Sequence, residues 1–234
     1  MNKYLVIGNP IEHSLSPLLH NYWFKKYGIL DCIYEKRKVD KKDLKEIVKS
    51  VKKGDIKGVN VTVPFKSEIL NYIDSFPNEV QKTKSVNTLI KENDKVVGYN
   101  TDQGGFEISL SVNNWNSKNK KILILGAGGV APSILSSFVK KDGASKIYLC
   151  NRTRNKAEEL KKHWDAAADS CGMTKNTIEV VDWEKKIELC DLVINTTSVG
   201  LSVDENINFD FGHYDNNKNV LIYDLIYNPK ETNF

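Results

Sequence analysis

The stretch Lys121-Ile-Leu-Ile-Leu-Gly-Ala-Gly-Gly-Val-Ala131 decides the fold of the second half of the chain. Its mostly apolar start predicts a buried strand, and the residues after the glycines predict a helix. Glycines at such a turn let the backbone approach a pyrophosphate, while the helix N-terminus supplies free N–H groups. Gly126, Ala127, Gly128 and Gly129 are therefore candidates for contact with a dinucleotide. A tight turn without a ligand is the simpler alternative.

The end of the next predicted strand distinguishes between the two nicotinamide dinucleotides. An NAD site typically carries Asp or Glu there, and that carboxylate binds the ribose 2′-hydroxyl. This chain has Asn151, Arg152 and Thr153 instead. No carboxylate would repel a 2′-phosphate, and the guanidinium of Arg152 has the donors to hold one. The sequence favours NADP; the alternative is a surface arginine followed by Thr153 as a helix cap.

Strands and helices alternate after this motif, which predicts a Rossmann-like parallel sheet with helices on both faces. The polar stretch 113–120 marks the junction, so this domain is expected over 113–234. Segment 165–176 shows no clear period and is expected to be a loose surface excursion. Strands are predicted at 121–125, 146–150, 178–181, 191–195 and 220–224, with helices from the glycine turn to about 141 and over 153–164.

The first part of the chain, 1–112, is expected to form a separate α/β domain that binds the substrate. Ser16 is expected to cap the first helix, with Pro17 at the first helical position. We expect a cleft between the two domains, where substrate and nicotinamide would meet. Strands are predicted at 4–7, 32–39, 59–63, 86–91 and 96–99, with helices after Ser16, over 40–54 and over 65–73.

Composition excludes several classes of protein. The net charge of +4 is mild for a nucleic-acid binder, and the lysines between 36 and 53 alternate with apolar residues at helical spacing. The four cysteines show no CxxC pairing, which argues against a zinc site or disulfide framework and fits the cytoplasm. No apolar run is long enough for a signal peptide or a membrane span.

Polar residues cluster at the predicted strand ends of the first domain. Ser14 and Ser16 place two hydroxyls at a helix start, where a carboxylate could bind, although Ser16 alone is more often only a cap. Lys66 follows an alternating strand that contains Thr62; alone, it would be an ordinary surface charge. Two further strand-end turns carry amide, hydroxyl and carboxylate groups, at Val86-Asn87-Thr88 and Asn100-Thr101-Asp102.

Taken in order, these motifs resemble the shikimate dehydrogenase family over nearly the whole chain. The matching motifs are Gly-Asn-Pro-Ile-x-His-Ser-x-Ser-Pro from Gly8, Asn-Val-Thr-Val-Pro-Phe-Lys from Asn60, Val-Asn-Thr-Leu from Val86, Asn-Thr-Asp from Asn100, Gly-Ala-Gly-Gly from Gly126, Asn-Arg-Thr from Asn151, Asn-Thr-Thr-Ser-Val-Gly from Asn195 and Asp-Leu-Ile-Tyr from Asp224. Each motif is moderately specific, and eight in order are very specific.

The resemblance implies roles for individual residues. Lys66 and Asp102 would be the catalytic pair, and which of them moves the proton is open. Substrate would be bound by Ser14 and Ser16 at its carboxylate, by Thr62 and Asn87 at its ring hydroxyls, and by Tyr227. The cofactor would be contacted by Gly126, Ala127, Gly128, Gly129, Asn151, Arg152, Thr153, Thr196, Ser198 and Gly200.

The implied reaction is the NADP-dependent reduction of 3-dehydroshikimate to shikimate, an oxidoreductase step in aromatic amino-acid biosynthesis. Three alternatives stay open: an enzyme that also accepts quinate, a non-catalytic relative that binds ligand, and a folate-linked dehydrogenase of similar architecture, which the paired serines disfavour. The partners expected are a small-molecule substrate and NADP, with no metal, nucleic acid or membrane, and a homodimer stays open.

The chain departs from the family pattern at three places. Lys84 and Ser85 stand where the family usually has small residues, and Gln103 replaces a smaller one. The sequence ends at Phe234, whereas the family usually continues with a segment that completes the sheet edge, supplies a glutamine to the substrate and returns a helix to the first domain. We therefore expect the second domain to be truncated, with looser domain packing.

Overall fold

The computed structural model describes residues 1–139, 143–171, 177–183, 188–201 and 219–234. The chain divides into two compact units, Met1–Asp102 and Gln103–Phe234. Within the described ranges, no helix is long and apolar enough to cross a bilayer.

The first unit is built on a five-stranded mixed sheet with the strand order β2-β1-β3-β4-β5. Strand β1 is parallel to β2 and β3, whereas the pairs β3–β4 and β4–β5 are antiparallel. The elements are β1 (Asn2–Gly8), α1 (Ser16–Lys26), β2 (Cys32–Lys38), α2 (Leu44–Lys53), β3 (Gly58–Val61), α3 (Asn78–Thr83), β4 (Thr88–Glu92) and β5 (Lys95–Tyr99), with 3-10 turns at Lys41–Asp43 and Glu68–Asn71.

Helix α2 explains the lysine-rich stretch of the sequence. Its apolar positions Leu44, Ile47, Val48 and Val51 are all buried, so its lysines lie on the opposite, solvated face. These four side chains pack into a core with the central strands of the sheet. The core holds the carboxyl ends of β1 and β3 in place, and the motifs that start at Gly8 and Asn60 lie at those ends.

The second unit is built on a five-stranded sheet in which every pairing is parallel, in the order β10-β9-β6-β7-β8. Ile122 and Ile124 belong to one core cluster and Leu123 and Leu125 to another, so β6 is covered on both faces. The elements are α4 (Asp102–Val112), β6 (Lys121–Leu125), α5 (Ala131–Ser136), β7 (Lys146–Cys150), α6 (Arg154–Cys171), β8 (Ile178–Val181), β9 (Leu192–Asn195) and β10 (Leu221–Asp224).

The predicted fold class, two α/β domains with a Rossmann-like second domain, is confirmed. The predicted domain boundary lies after residue 112, whereas helix α4 buries Phe106 and Leu110 in a core cluster of the second unit. The boundary between the functional domains stays a prediction.

Several local predictions were wrong. Helix α1 begins at Ser16 with Leu15 at its cap, and no side chain caps it. A short 3-10 turn, Glu68–Asn71, stands where a helix over 65–73 was expected. Helix α5 ends at Ser136, and residues 140–142 of its expected extension lie outside the described ranges.

The prediction of a loose segment that begins at residue 165 was also wrong, because helix α6 continues to Cys171. Buried Trp164 anchors the helix, and an ion pair between Lys161 and Asp165 spans the point where it was expected to end. Residues 172–176 of the segment lie outside the described ranges.

Candidate active site

Lys66 and Asp102 form an ion pair in the first unit. The ammonium of Lys66 donates to Oδ2 of Asp102 at 2.7 Å. The two side chains are only 11% and 19% exposed. Lys66, whose motif taken alone would suggest only an ordinary surface charge, is thus largely buried against a carboxylate. An ion pair that is this protected from water is screened less than a surface pair, so each charge acts more strongly on its surroundings.

One backbone hydrogen bond and two hydrogen bonds of the Asn100 side chain place this pair. The carbonyl of Lys66 accepts from the N–H of Val86 at 2.8 Å, which ties the lysine to the segment before β4. Asn100 donates from Nδ2 to the carbonyl of Ser85 at 2.8 Å, and its Oδ1 accepts from the N–H of Asp102 at 3.0 Å. The start of α4 is therefore fixed to the same segment, which brings the carboxylate to the lysine.

Asn87 joins the pair through the second oxygen of the carboxylate. Its Nδ2 group donates to Oδ1 of Asp102 at 2.8 Å and to the hydroxyl of Thr101 at 2.9 Å. Its Oδ1 atom accepts from the N–H of Thr101 at 3.0 Å and from the hydroxyl of Thr88 at 3.0 Å. Donors on one side and acceptors on the other fix the amide so that its NH2 group faces Asp102. Lys66, Asp102 and Asn87 thus form one continuous hydrogen-bonded group.

The other predicted substrate residues of the first unit follow β1 and β3 in the chain. Ser14 is buried, and its hydroxyl donates to the hydroxyl of Ser16 at 3.3 Å. The N–H of Ser16 donates back to Oγ of Ser14 at 3.4 Å, so the two hydroxyls lie side by side at the start of α1. The backbone of Thr62 is held by Ile7, and its side chain is half-buried.

The sequence analysis missed the residues that form hydrogen bonds with the backbone of Asn87 and with its neighbour Thr88. Asn60 donates from Nδ2 to the carbonyl of Asn87 at 3.2 Å and to the hydroxyl of Thr88 at 3.1 Å. Oδ1 of Asn60 accepts in turn from the Tyr34 hydroxyl at 2.5 Å, and the Tyr34 ring stacks on His20 with centroids 4.2 Å apart. Burial lowers the pKa of His20. The sequence signal for these contacts was Asn60, a polar residue inside an alternating strand motif.

The glycine turn after β6 has the geometry that the sequence predicts. Gly126 has φ of +110°, and a Cβ on it would lie 2.6 Å from the Thr196 hydroxyl, so another residue would be strained and would clash. Around Gly128, a Cβ would meet no atom within 4 Å. The N–H of Ala127 donates to Oδ1 of Asn151 at 3.0 Å, which links the turn to the end of β7. Gly128 therefore has open space where a phosphate is expected, and Gly129 follows it in the turn.

Arg152 and Arg154 are in different electrostatic situations. Arg154 is paired with Glu158 at 3.0 Å and with Asp182. Arg152 is exposed and makes no ion pair or hydrogen bond within the described part of the chain. Asn151 donates to the carbonyl of Thr153 at 2.7 Å and so shapes the turn in which Arg152 sits. The end of β7 thus presents a guanidinium without a carboxylate partner, which suits a phosphate.

The remaining predicted cofactor residues follow β9. Thr196 is buried, and its hydroxyl donates to the carbonyl of Leu125 at 2.9 Å, which links the loop after β9 to the end of β6. Its contact with the cofactor stays a prediction. Ser198 is exposed in the same loop, and Gly200 is buried. Tyr227 lies in the segment after β10 and is 59% exposed. Among the described residues, no cluster of His, Cys, Asp or Glu could hold a metal ion.

Comparison with known proteins gives the same family for both units. The model for the shikimate dehydrogenase substrate binding domain matches residues 6–89, and the model for shikimate / quinate 5-dehydrogenase matches residues 108–233. The shikimate dehydrogenase (NADP(+)) of Pelagibacter ubique is 46% identical over 231 residues, which cover 99% of this chain and 81% of the relative.

Two solved structures are similar over almost the whole chain. Shikimate dehydrogenase from Aquifex aeolicus has a TM-score of 0.82 and 35% identity, with 97% of this chain and 79% of that chain covered. Shikimate 5-dehydrogenase from Thermus thermophilus, solved in complex with NADP(H) and shikimate, has a TM-score of 0.80 and 27% identity, with 100% and 82% covered. The chain belongs to the shikimate dehydrogenase family.

Proposed function

We propose that this chain is an NADP-dependent shikimate dehydrogenase, which reduces the ketone of 3-dehydroshikimate to the alcohol of shikimate. The observation that carries the proposal is the protected group formed by Lys66, Asp102 and Asn87, in a chain whose family members carry this activity in their names. A largely buried lysine whose ammonium is held by a carboxylate is the kind of charged pair that this reaction requires.

The chemistry assigned to the catalytic pair follows from the charge that the reaction creates. NADPH, which the turn at residues 126–129 and Arg152 would hold, would supply the hydride to the carbonyl carbon, and negative charge would develop on the carbonyl oxygen. Lys66 stabilises that charge through an N–H donor, and Asp102 fixes the direction in which the ammonium points. In the reduction, a proton passes through this pair from solvent to the developing alkoxide and completes the hydroxyl, and in the reverse direction the hydroxyl proton leaves by the same route. Lys66 is the group we assign to the reacting oxygen, because Asp102 is held by two donors from its own unit.

The residues assigned to the substrate fall into two groups, one for its charged carboxylate and one for its ring and ring hydroxyls. Ser14 and Ser16 present adjacent hydroxyls, which suit the two oxygens of a carboxylate. Thr62 and Asn87 are assigned to the ring hydroxyls of the substrate, and Tyr227 is assigned to its ring. The 1–112 and 113–234 division into substrate and cofactor domains remains part of this proposal, as do the cytoplasmic location and the role in aromatic amino-acid biosynthesis.

The residues of the second unit fit NADP rather than NAD. Residues 126–129 form a turn with open space at Gly128. Within the described ranges, no carboxylate forms an ion pair with Arg152. The thiol of Cys150, next to this turn, has a pKa raised to about 12 by burial, so it stays neutral. Arg152 is therefore the positive charge that we assign to the 2′-phosphate.

The test is a spectrophotometric assay of cofactor reduction with shikimate and quinate, each with NADP+ and NAD+. We expect the highest kcat/KM with shikimate and NADP+. A higher kcat/KM with quinate would favour the quinate-accepting alternative. If calorimetry detects shikimate binding but none of the four combinations of substrate and cofactor gives turnover, the proposal of an enzyme is refuted. That result would favour the non-catalytic relative.

A further inference from the structure

Asn195 ends strand β9 and is fully buried. Its Oδ1 atom accepts from the N–H of Thr197 at 2.9 Å and from the Thr197 hydroxyl at 2.7 Å. Its Nδ2 group donates to the carbonyl of Val199 at 3.2 Å and to Oδ1 of Asp224 at 3.0 Å. All four hydrogen-bonding positions of the amide are filled. They fix the start of loop 196–201 against the end of strand β10.

Asp224 ends strand β10 and collects donors from the segment that follows it. Its Oδ1 atom also accepts from the N–H of Ile226 at 3.0 Å, and Oδ2 accepts from the hydroxyl of Thr232 at 2.7 Å. An ionised carboxylate only accepts hydrogen bonds, so a set of three donors suits it. Segment 225–232 is therefore folded back onto the end of its own strand.

The loop and the segment also contact each other directly. A Cβ on Gly200 would lie 3.3 Å from Cδ1 of Ile226 and 3.3 Å from Cβ of Thr232, and φ of Gly200 is +107°. A side chain at Gly200 would be strained and would push the two pieces apart. Loop 196–201 and segment 225–232 thus pack as one assembly, and the contact between Asn195 and Asp224 lies at its base.

We infer that Asp224 and Asn195 are positioning residues for the reaction, because they set the spacing between loop 196–201 and the segment that carries Tyr227. The inference rests on the proposed function, which assigns Tyr227 to the substrate ring, and on the family resemblance, which implies that Ser198 and Gly200 contact the cofactor. Neither Asp224 nor Asn195 is assigned a ligand contact. A displacement of about 1 Å in a reacting geometry costs on the order of 10²-fold in rate, so loss of this link lowers turnover.

Asp191 offers a matched control at the opposite end of β9. Its carboxylate accepts from the N–H of Lys121 at 2.8 Å and from Nζ of Lys120 at 2.9 Å. It therefore joins two segments of the same sheet, as Asp224 does, but no predicted site residue lies beside it. Asp191→Ala and Asp224→Ala remove the same kind of link from the same unit.

The experiment compares steady-state kinetics and melting temperatures of the wild type, Asp224→Ala, Asp224→Asn and Asp191→Ala, with shikimate and NADP+. Asp224→Ala is expected to lower kcat by about 10- to 100-fold and to raise the KM for NADP+. Asp191→Ala is expected to lower only the melting temperature. Asp224→Asn is expected to recover most of kcat, because its oxygen still accepts from Asn195 and Ile226 and its NH2 group donates to the Thr232 oxygen.

The inference is overturned if Asp224→Ala and Asp191→Ala share the same kinetic constants, or if Asp224→Asn is as slow as Asp224→Ala. If Asp224→Ala does not fold, Thr232→Val removes one donor alone and is expected to shift kcat and KM in the same direction by a smaller factor; unchanged constants there also overturn it.

The wild-type measurement separates this inference from the proposed function. Wild-type turnover with an unaffected Asp224→Ala refutes only the inference. If the wild type binds NADP+ without turnover, the proposed function fails, and the dissociation constant of NADP+ in the same variants decides the inference instead. A wild type that neither turns over nor binds NADP+ refutes both.

Discussion

Replacing Lys66 by Met removes the ammonium and keeps most of the side-chain volume. The Lys66 side chain is 11% exposed, so Met fills a largely buried space, but Oδ2 of Asp102 loses its donor at 2.7 Å. Asp102 keeps the hydrogen bond from Asn87 at 2.8 Å. The variant therefore carries a mostly buried carboxylate with one donor in place of two.

The expected cost in folding free energy is about 3 kcal/mol. Removal of one partner from a buried ion pair costs roughly 3–5 kcal/mol, because the remaining charge stays away from water. The lower end applies here, since Asp102 is 19% exposed and retains one donor. The expected loss in kcat is at least about 10²-fold, the scale of one general acid–base or oxyanion contact.

The double variant Lys66→Met/Asp102→Asn separates these two effects. A neutral amide at residue 102 removes the unpaired charge, so we expect the double variant to regain about 1–3 kcal/mol relative to Lys66→Met. We expect no recovery of kcat, because the positive charge is still missing. Denaturant unfolding measures the first quantity, and steady-state oxidation of shikimate measures the second.

Two results would refute this reasoning. A Lys66→Met variant with near-normal kcat would remove Lys66 from the mechanism and leave its motif as a structural strand end. A double variant that regains turnover together with stability would show that the single variant was slow only because it was poorly folded. KM for shikimate should change much less than kcat, since Ser14, Ser16 and Asn87 are unaltered.

Arg152→Ala is expected to raise the KM for NADP+ by about 10- to 100-fold, which is the scale of a hydrogen bond to a charged group, and to change the KM for NAD+ little. Steady-state kinetics with both cofactors test this, with Arg154→Ala as the control. Equal losses for both cofactors would contradict the prediction. Gly126→Ala is expected to cost about 2–4 kcal/mol of folding free energy through backbone strain and overpacking. Gly128→Ala is expected to have the melting temperature of the wild type and to raise only the KM for NADP+. Equal melting temperatures for the two variants would disprove the packing argument. Hydrogen bonds from a backbone N–H and a lysine lower the pKa of Asp74, so its stabilising effect is present above the unfolded-state pKa near 4 and is lost as the pH falls through the lower folded-state value. Unfolding measured between pH 2 and 6 should therefore show a smaller loss of stability in Asp74→Asn than in the wild type, and parallel curves would reject this.

Strands and glycine turns could be predicted because their cause is local. Residues 122–125 form an apolar run that is buried on both faces of the sheet, and such a run is visible in the sequence. The continuation of helix α6 was equally local but was overlooked. Ala166, Ala167 and Ala168 are strong helix formers, and they follow an i,i+4 ion pair.

The support around Asn87 could not be predicted because it depends on strand register. Asn60 and Thr88 lie directly opposite each other in the antiparallel pair β3–β4, and only this register brings their side chains together. The resemblance identified Asn87 from its motif, but a motif contains no information on which neighbouring strand contributes the second partner. The same limit applies to Asn195 and Asp224, which meet because β9 and β10 are adjacent.

The closed hydrogen-bond arrangement around Asn87 has a consequence for substrate discrimination. A site rejects an analogue strongly when a missing hydroxyl leaves a buried polar group unpaired. Here both protons of the Asn87 amide already have partners within the chain, in Asp102 and Thr101. An analogue that lacks the ring hydroxyl assigned to Asn87 would leave the amide satisfied, so the penalty against that analogue is small. Tolerance toward such analogues therefore follows from the structure around Asn87, and stricter selection among ring hydroxyls falls to Thr62, the other residue assigned to them.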